Sequence, residues 1–186
     1  MAIKTFTTGE VLTASDTNTY LANSGLVYVA GSTFAAVTAF DITGFSSTFT
    51  GYRVIIQTRR VDTIGMGTMN VNLRNNTTNI TTGYYEGAGY ATYLSGTGAA
   101  FARNNGAQWL WGNSDSAAAT ANWSFDMYAL TGGGLTFNGV GFSVGEATTY
   151  FIGGSNGTTS AYDRLRVAYD FGTHTGRWIL QGYRTA

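Results

Sequence analysis

The stretch "TMNVNLR" (residues 68–74) decides the fold class. Met69, Val71 and Leu73 alternate in it with Asn70, Asn72 and Arg74. A period of two puts the first set on one face of a β-strand and the second on the other. The apolar set is expected to point inward and the polar set outward.

The same period recurs along the chain. In "YRVIIQTRRV" (52–61), Val54, Ile56 and Thr58 face one way and Arg53, Gln57 and Arg59 the other, with Ile55 an exception on the polar side. "NWSFDMYAL" (122–130) sets Trp123, Phe125, Met127 and Ala129 against Ser124, Asp126 and Tyr128. "RLRVAYDF" (164–171) sets Leu165, Val167, Tyr169 and Phe171 against Arg164, Arg166 and Asp170. "LVYVA" (26–30) and "FAAVTAFDI" (34–42) read as two strands joined at Gly31 and Ser32, and "RWILQGYR" (177–184) as a last strand that buries Trp178 and Leu180. About ten short strands with turn residues between them, and no helical period after residue 25, predict an all-β chain folded as a two-sheet antiparallel sandwich over residues 26–186. A jelly roll is the expected topology; an Ig-like Greek key or an irregular β-prism fits the same signals.

Composition agrees with such a domain. A chain of 186 residues can bury a core without staples, and 44% hydrophobic and 15% aromatic residues set it apart from a disordered chain despite 26 glycines. Ten basic residues balance ten acidic ones and only 11% of the chain is charged, so no electrostatic footprint for nucleic acid or an anionic membrane is visible. The absence of cysteine excludes a disulfide framework and thiolate metal sites. No apolar run is long enough for a membrane-spanning helix, and "MAIKTFTTGEV" lacks the apolar stretch of a secretory signal. A soluble protein not exported by a cleaved signal is expected.

Residues 1–25 break the β pattern. Thr13 suits an N-cap, Asp16 favours the positive end of a helix dipole, and Gly25 is placed to end the helix in a left-handed conformation. The short helix this predicts, over "ASDTNTYLAN", is too brief and too rich in Thr and Asn to stand alone in water. Its apolar residues Phe6, Val11, Leu12, Tyr20 and Leu21 must pack on something, whether this domain, another copy or a different protein.

The pattern "F-x-x-G-E-V-L-T-A-x-D-x-N-x-Y-L-x-N", carried here by Phe6, Gly9, Glu10, Val11, Leu12, Thr13, Ala14, Asp16, Asn18, Tyr20, Leu21 and Asn23, resembles the N-terminus of a group of tailed-bacteriophage virion proteins. That group includes small tail-fibre, head-fibre and decoration-like proteins. "FSSTFTGYRVIIQTRRV" (45–61) is similar to a strand of jelly-roll tips in phage fibres. The resemblance implies a homotrimeric virion surface protein without a cofactor, assembled in the host cytoplasm, with residues 1–25 as a virion anchor. Two functions follow from it. One is a trimeric fibre or receptor-binding tip whose sandwich contacts host glycans; the other is a capsid decoration or head-fibre protein that reinforces the head lattice. A tail depolymerase is the third and weakest reading.

Catalytic signals are sparse. His174 is the single histidine, in "FGTHTG", and reads as a turn residue; no second imidazole is available for a metal site and no "G-x-S-x-G" elbow occurs. Asp126, Glu146, Asp163 and Asp170 could in principle pair as glycosidase carboxylates, but read more simply as ion-paired surface groups. "GGSNG" (153–157) and "GTG" (96–98) read as turns, and "NSDS" (113–116) lacks calcium-loop spacing. No catalytic residue, cofactor or metal is expected.

The densest aromatic stretch runs from 81 to 113 and reads as loop-rich. It holds Tyr84, Tyr85, Tyr90, Tyr93, Trp109 and Trp111 among glycines and amides, a mixture suited to stacking on sugar rings and bonding their hydroxyls. These residues are the candidate glycan or receptor contact. The competing reading places them in the core or a trimer interface, since Trp109 and Trp111 share a strand face.

Overall fold

The computed structural model describes residues 7–11, 13, 25–61, 67–92, 98–114, 120–129, 134–144, 147–159 and 161–184. Within them two antiparallel sheets pack face to face, and the strands are numbered in chain order. The larger sheet has eight strands, in spatial order β1 (Leu26–Val37), β13 (His174–Arg184), β3 (Phe49–Arg60), β9 (Thr120–Ala129), β10 (Leu135–Ser143), β11 (Thr148–Asn156), β6 (Tyr84–Thr92) and β7 (Gly98–Gly106). The smaller sheet runs β2 (Ala39–Thr43), β12 (Arg164–Tyr169), β4 (Gly67–Asn75) and β5 (Thr78–Asn79), with β8 (Trp109–Ser114) also paired to β4. The chain winds between the sheets, β1 to β2 to β3 to β4 and again β11 to β12 to β13, in the manner of a jelly roll. Among the described residues there is no helix.

The alternation that predicted the strands also supplies the core. Met69, Val71, Leu73, Trp123, Phe125, Leu165, Val167 and Trp178 are all buried, as are Val54, Ile56 and Leu180. Tyr84 ties the layers together at one end. Its hydroxyl accepts from the Leu73 N–H and donates to the Ile80 carbonyl, both at 2.8 Å, so the β4–β5 turn is pinned to β6. Burial pushes this phenol up to about 12.

Several expectations are corrected. Asn70 and Asn72 are buried rather than exposed, because the β7–β8 connection lies over them. Asn72 Nδ2 donates to the Ala107 carbonyl and Gln108 Nε2 to Asn70 Oδ1, each at 2.9 Å. Ala129 and Phe171 are exposed: the first is the last residue of β9 and the second lies in the bend after β12. The first strand runs through Gly31 and Ser32 and breaks instead at Thr38. Two register shifts and Ala36 at φ 50° bend β1 so that β2 can join the other sheet. "GGSNG" is not a turn: Gly153 to Asn156 are the last residues of β11. His174 opens β13 and is buried, its ring stacked on Tyr169 at 3.5 Å between centroids and its Nδ1 3.2 Å from Thr58 Oγ1. The turn is made by the residues before it.

The expected N-terminal helix lies outside the described residues, as do Phe6, Leu12, Tyr20 and Leu21. Of the candidate anchor set Val11 is described and is exposed, just after a turn in which the Glu10 N–H donates to the Thr7 carbonyl at 3.0 Å. Gly25 has the left-handed backbone expected of it, with φ 94°, and β1 begins at the next residue; the helix it was expected to end lies outside the described residues.

Candidate binding face

The stretch from 81 to 113 folds as strands β6, β7 and β8, not as loops, and its candidate contact residues separate. Tyr84, Trp109 and Trp111 are buried and cannot meet a ligand. Trp109 and Trp111 project from β8 into the space between the sheets, stacked at 6.2 Å and 18°. Tyr84 meets Trp109 edge-on at 4.8 Å, Phe137 packs on both indoles, and Trp111 meets Phe125 at 4.3 Å. Such edge and offset contacts add to the area each ring buries. Tyr85 and Tyr90 are exposed, at 40% and 36%. Tyr90 pairs with Tyr150 on the inner face, near the end of β6, so among the described candidate residues only Tyr85 looks outward from the sandwich. Tyr93 lies outside the described residues.

The outer face of the eight-stranded sheet is where exposed aromatic and polar groups gather. Strand register sets them in rows. One row reads Tyr183, Gly51, Tyr128, Thr136, Ser155 and Tyr85 across six adjacent strands. Gly51 has no side chain because none fits: a Cβ there would sit 2.7 Å from both the Met127 carbonyl and the Tyr128 ring. The two tyrosines on either side of it therefore stack, with centroids 5.6 Å apart and planes 23° apart. The next row holds their clamp. Arg53 forms a two-pronged pair with Asp126, Nε to Oδ1 at 2.8 Å and an Nη to Oδ2 at 2.9 Å, and the Tyr183 hydroxyl donates to Asp126 Oδ1 at 2.7 Å. The Arg53 guanidinium also lies over the Tyr183 ring at 5.9 Å. The Arg53 hydrogen bond holds the Asp126 carboxyl below the usual carboxylate range despite its partial burial, and Asp126 in turn holds Arg53 firmly protonated. Desolvation first, and the bond to Asp126 second, push the Tyr183 phenol up.

Farther along the strands the face becomes apolar. Val140 pairs directly with Phe151, with Phe142 beside them, and all three are exposed. Beyond these the sheet holds a groove of about 450 Å³. It is lined by Gln57, Arg59, Asn122 and Arg177 together with Thr33, Thr120 and Thr175. Arg177 Nε donates to Gln57 Oε1. Asn122 pairs with Phe142 in the register, so an exposed ring stands at the groove's edge. A second cavity, about 310 Å³, opens beside Phe45, Phe49, Tyr52 and Tyr162, but the Tyr52 hydroxyl there is already bonded to Ser46.

The carboxylates considered for glycosidase chemistry are engaged separately. Asp126 pairs with Arg53, Asp163 with Arg164 at 3.1 Å, and Asp170 accepts from Asn70. Glu146 lies outside the described residues. Among the described residues no group of three or more His, Asp or Glu side chains could hold a metal ion, and no helix is long and apolar enough to cross a membrane.

The outer-face site escaped the sequence reading because its members come from strands far apart in the chain. The signal for it was present in part: Arg53, Gln57, Arg59 and Tyr128 all fall on the polar side of the period of two. Nothing local in "RWILQGYR" indicates that Tyr183 meets Tyr128.

Neither a family model nor a curated protein matches the chain. Among solved structures, the galectin LEC-6 of Caenorhabditis elegans is similar at 12% identity and a TM-score of 0.38, over 83% of this chain and 94% of that one.

Proposed function

We propose that the chain is a non-enzymatic virion surface protein of a tailed bacteriophage, a homotrimeric fibre or receptor-binding tip attached through residues 1–25. Its sandwich offers the outer face of the eight-stranded sheet to host-surface glycans. The observation that carries the glycan part is the make-up of that face. Exposed rings (Tyr128, Phe142, Tyr85) alternate with amide, hydroxyl and guanidinium groups on one rigid sheet. Rings that can stack on the apolar side of a sugar, beside donors that meet its hydroxyls, are the few well-placed polar groups among apolar ones that ligand sites use. The phage part rests on the N-terminal pattern alone.

The capsid-decoration reading has one observation in its favour, the exposed apolar patch of Val140, Phe142 and Phe151, because such patches mark contacts between proteins. One experiment separates the two. The purified full chain is applied to host cells and, in parallel, to capsids that lack it. Saturable attachment to cells supports the receptor-binding reading; attachment to capsids alone replaces it with the decoration reading. Light scattering should give three chains per particle at micromolar concentration, and a monomer that stays monomeric on the virion would overturn the trimer.

A further inference from the structure

The groove bounded by Arg59 and Arg177 brings two cations to one face of the described surface. Arg53, Arg74 and Arg164 each have a carboxylate within 4 Å: Asp126, Asp41 and Asp163 respectively. Arg59 and Arg177 have none among the described residues, and no carboxylate lines the groove. In a chain whose formal charges cancel, two cations facing one cleft with no counter-charge among the described residues form a local positive site. Arg177 lies opposite Gln57 in the β13–β3 register and Arg59 lies opposite Thr175. The two arginines are therefore diagonal neighbours on one face, about 7–8 Å apart at the backbone, close enough for both guanidinium groups to reach one anion. Gln57 Oε1 accepts the Arg177 Nε–H. That bond orients the planar fork and leaves its terminal nitrogens for a ligand.

We infer that this groove takes the anionic group, carboxylate or phosphate, of an acidic saccharide between Arg59 and Arg177. Asn122 and the threonine hydroxyls meet the ring's own hydroxyls, and Phe142 stands where a sugar face can stack. The inference rests on the glycan-binding reading above and names the class of glycan. At about 450 Å³ the groove falls at the small end of ligand sites, suited to the end of a chain or a single charged unit of it. Arg59 and Arg177 are exposed, so their substitution leaves the core untouched.

The test titrates the full chain with two anionic probes, an oligogalacturonide and glucose 6-phosphate, and with their uncharged parents, a galactose oligosaccharide and glucose. At least one anionic probe should bind about tenfold or more tightly than its parent, and which of them does so identifies the source of the charge. Arg59→Gln and Arg177→Gln should each weaken that binding about tenfold with the melting temperature unchanged, and added salt should weaken it too. Arg177→Lys, which keeps the charge and loses the fork, should fall between wild type and Arg177→Gln. Equal binding of charged and uncharged probes, binding of neither anion, or indifference to both glutamine substitutions overturns the inference. Cell attachment that survives both substitutions also overturns it while leaving the receptor reading in place. Anion binding without any cell attachment does the reverse.

Discussion

Strand β9 carries two aromatic clusters, one on each face, and they differ in what holds them. Inward, Phe125 joins Trp109, Trp111, Phe137 and Tyr84 in a seam of rings contributed by both sheets, with no charged group in the ring contacts. Outward, Tyr128 stacks on Tyr183 across Gly51, and the pair is clamped by Arg53 and Asp126. The inner rings are held by exclusion of water over their whole surface. The outer rings are held by a gap in the side chains beneath them and by charge beside them. Aromatic residues alone do not mark a surface; the phase of the strand and the opposing layer decide where they go.

That contrast can be broken most forcibly from the inside. Trp111→Ala should destabilise the protein by about 3–5 kcal/mol, because it opens a cavity that Phe125 and Phe137 cannot collapse into; denaturant unfolding measures it. A cost as small as that of a surface change would mean the seam is not the core. A finer cut is Tyr84→Phe, which keeps the ring and deletes the hydroxyl. The Leu73 N–H and Ile80 carbonyl then lose their partner, for a loss of about 1–3 kcal/mol, and amide exchange at Leu73 should quicken.

Outside, the expected effects are smaller and depend on pH. Asp126→Asn should cost about 1 kcal/mol at neutral pH, the scale of a partly exposed ion pair. The pair lowers the folded-state pKa of Asp126, so its contribution is complete above the unfolded value of about 3.9 and disappears as pH falls through the lower folded value. Melting curves of wild type and variant should therefore separate at pH 7 and converge in strong acid; a gap that widens on acidification would contradict the clamp. Last and smallest, Tyr128→Ala should change stability by only about 0.5 kcal/mol. It should nevertheless free the Tyr183 ring, visible as a change in the near-ultraviolet circular dichroism, and weaken attachment to host cells.

Much of the sandwich was legible because a half-buried strand writes its orientation into every second residue. Met69, Val71 and Leu73 needed nothing but that rule. It failed where a third layer of chain intervened, as over Asn70 and Asn72, whose amides serve the β7–β8 connection instead of water. It failed again where glycine was taken for a turn. Gly154 sits within β11, and a Cβ there would lie 2.3 Å from the Tyr85 carbonyl and 2.9 Å from the Phe137 ring; the residue makes room for its neighbours in the sheet. The same misreading turned residues 81–113 into loops, whereas the alternative that set Trp109 and Trp111 on one buried strand face holds. The binding face was legible only in the polar side of single strands, since the groove is assembled from β1, β13, β3 and β9, which lie far apart in sequence.

The register of β1 on β13 gives the domain a direction. Leu26 pairs with Tyr183 at one end of the sheet, whereas Thr33 pairs with Arg177 toward the other. The chain thus enters β1 beside the place where β13 finishes, and the arginine groove lies six residues away along the strand, about 20 Å. A domain held by its N-terminal residues carries the groove at its far end, like a lamp on a bracket.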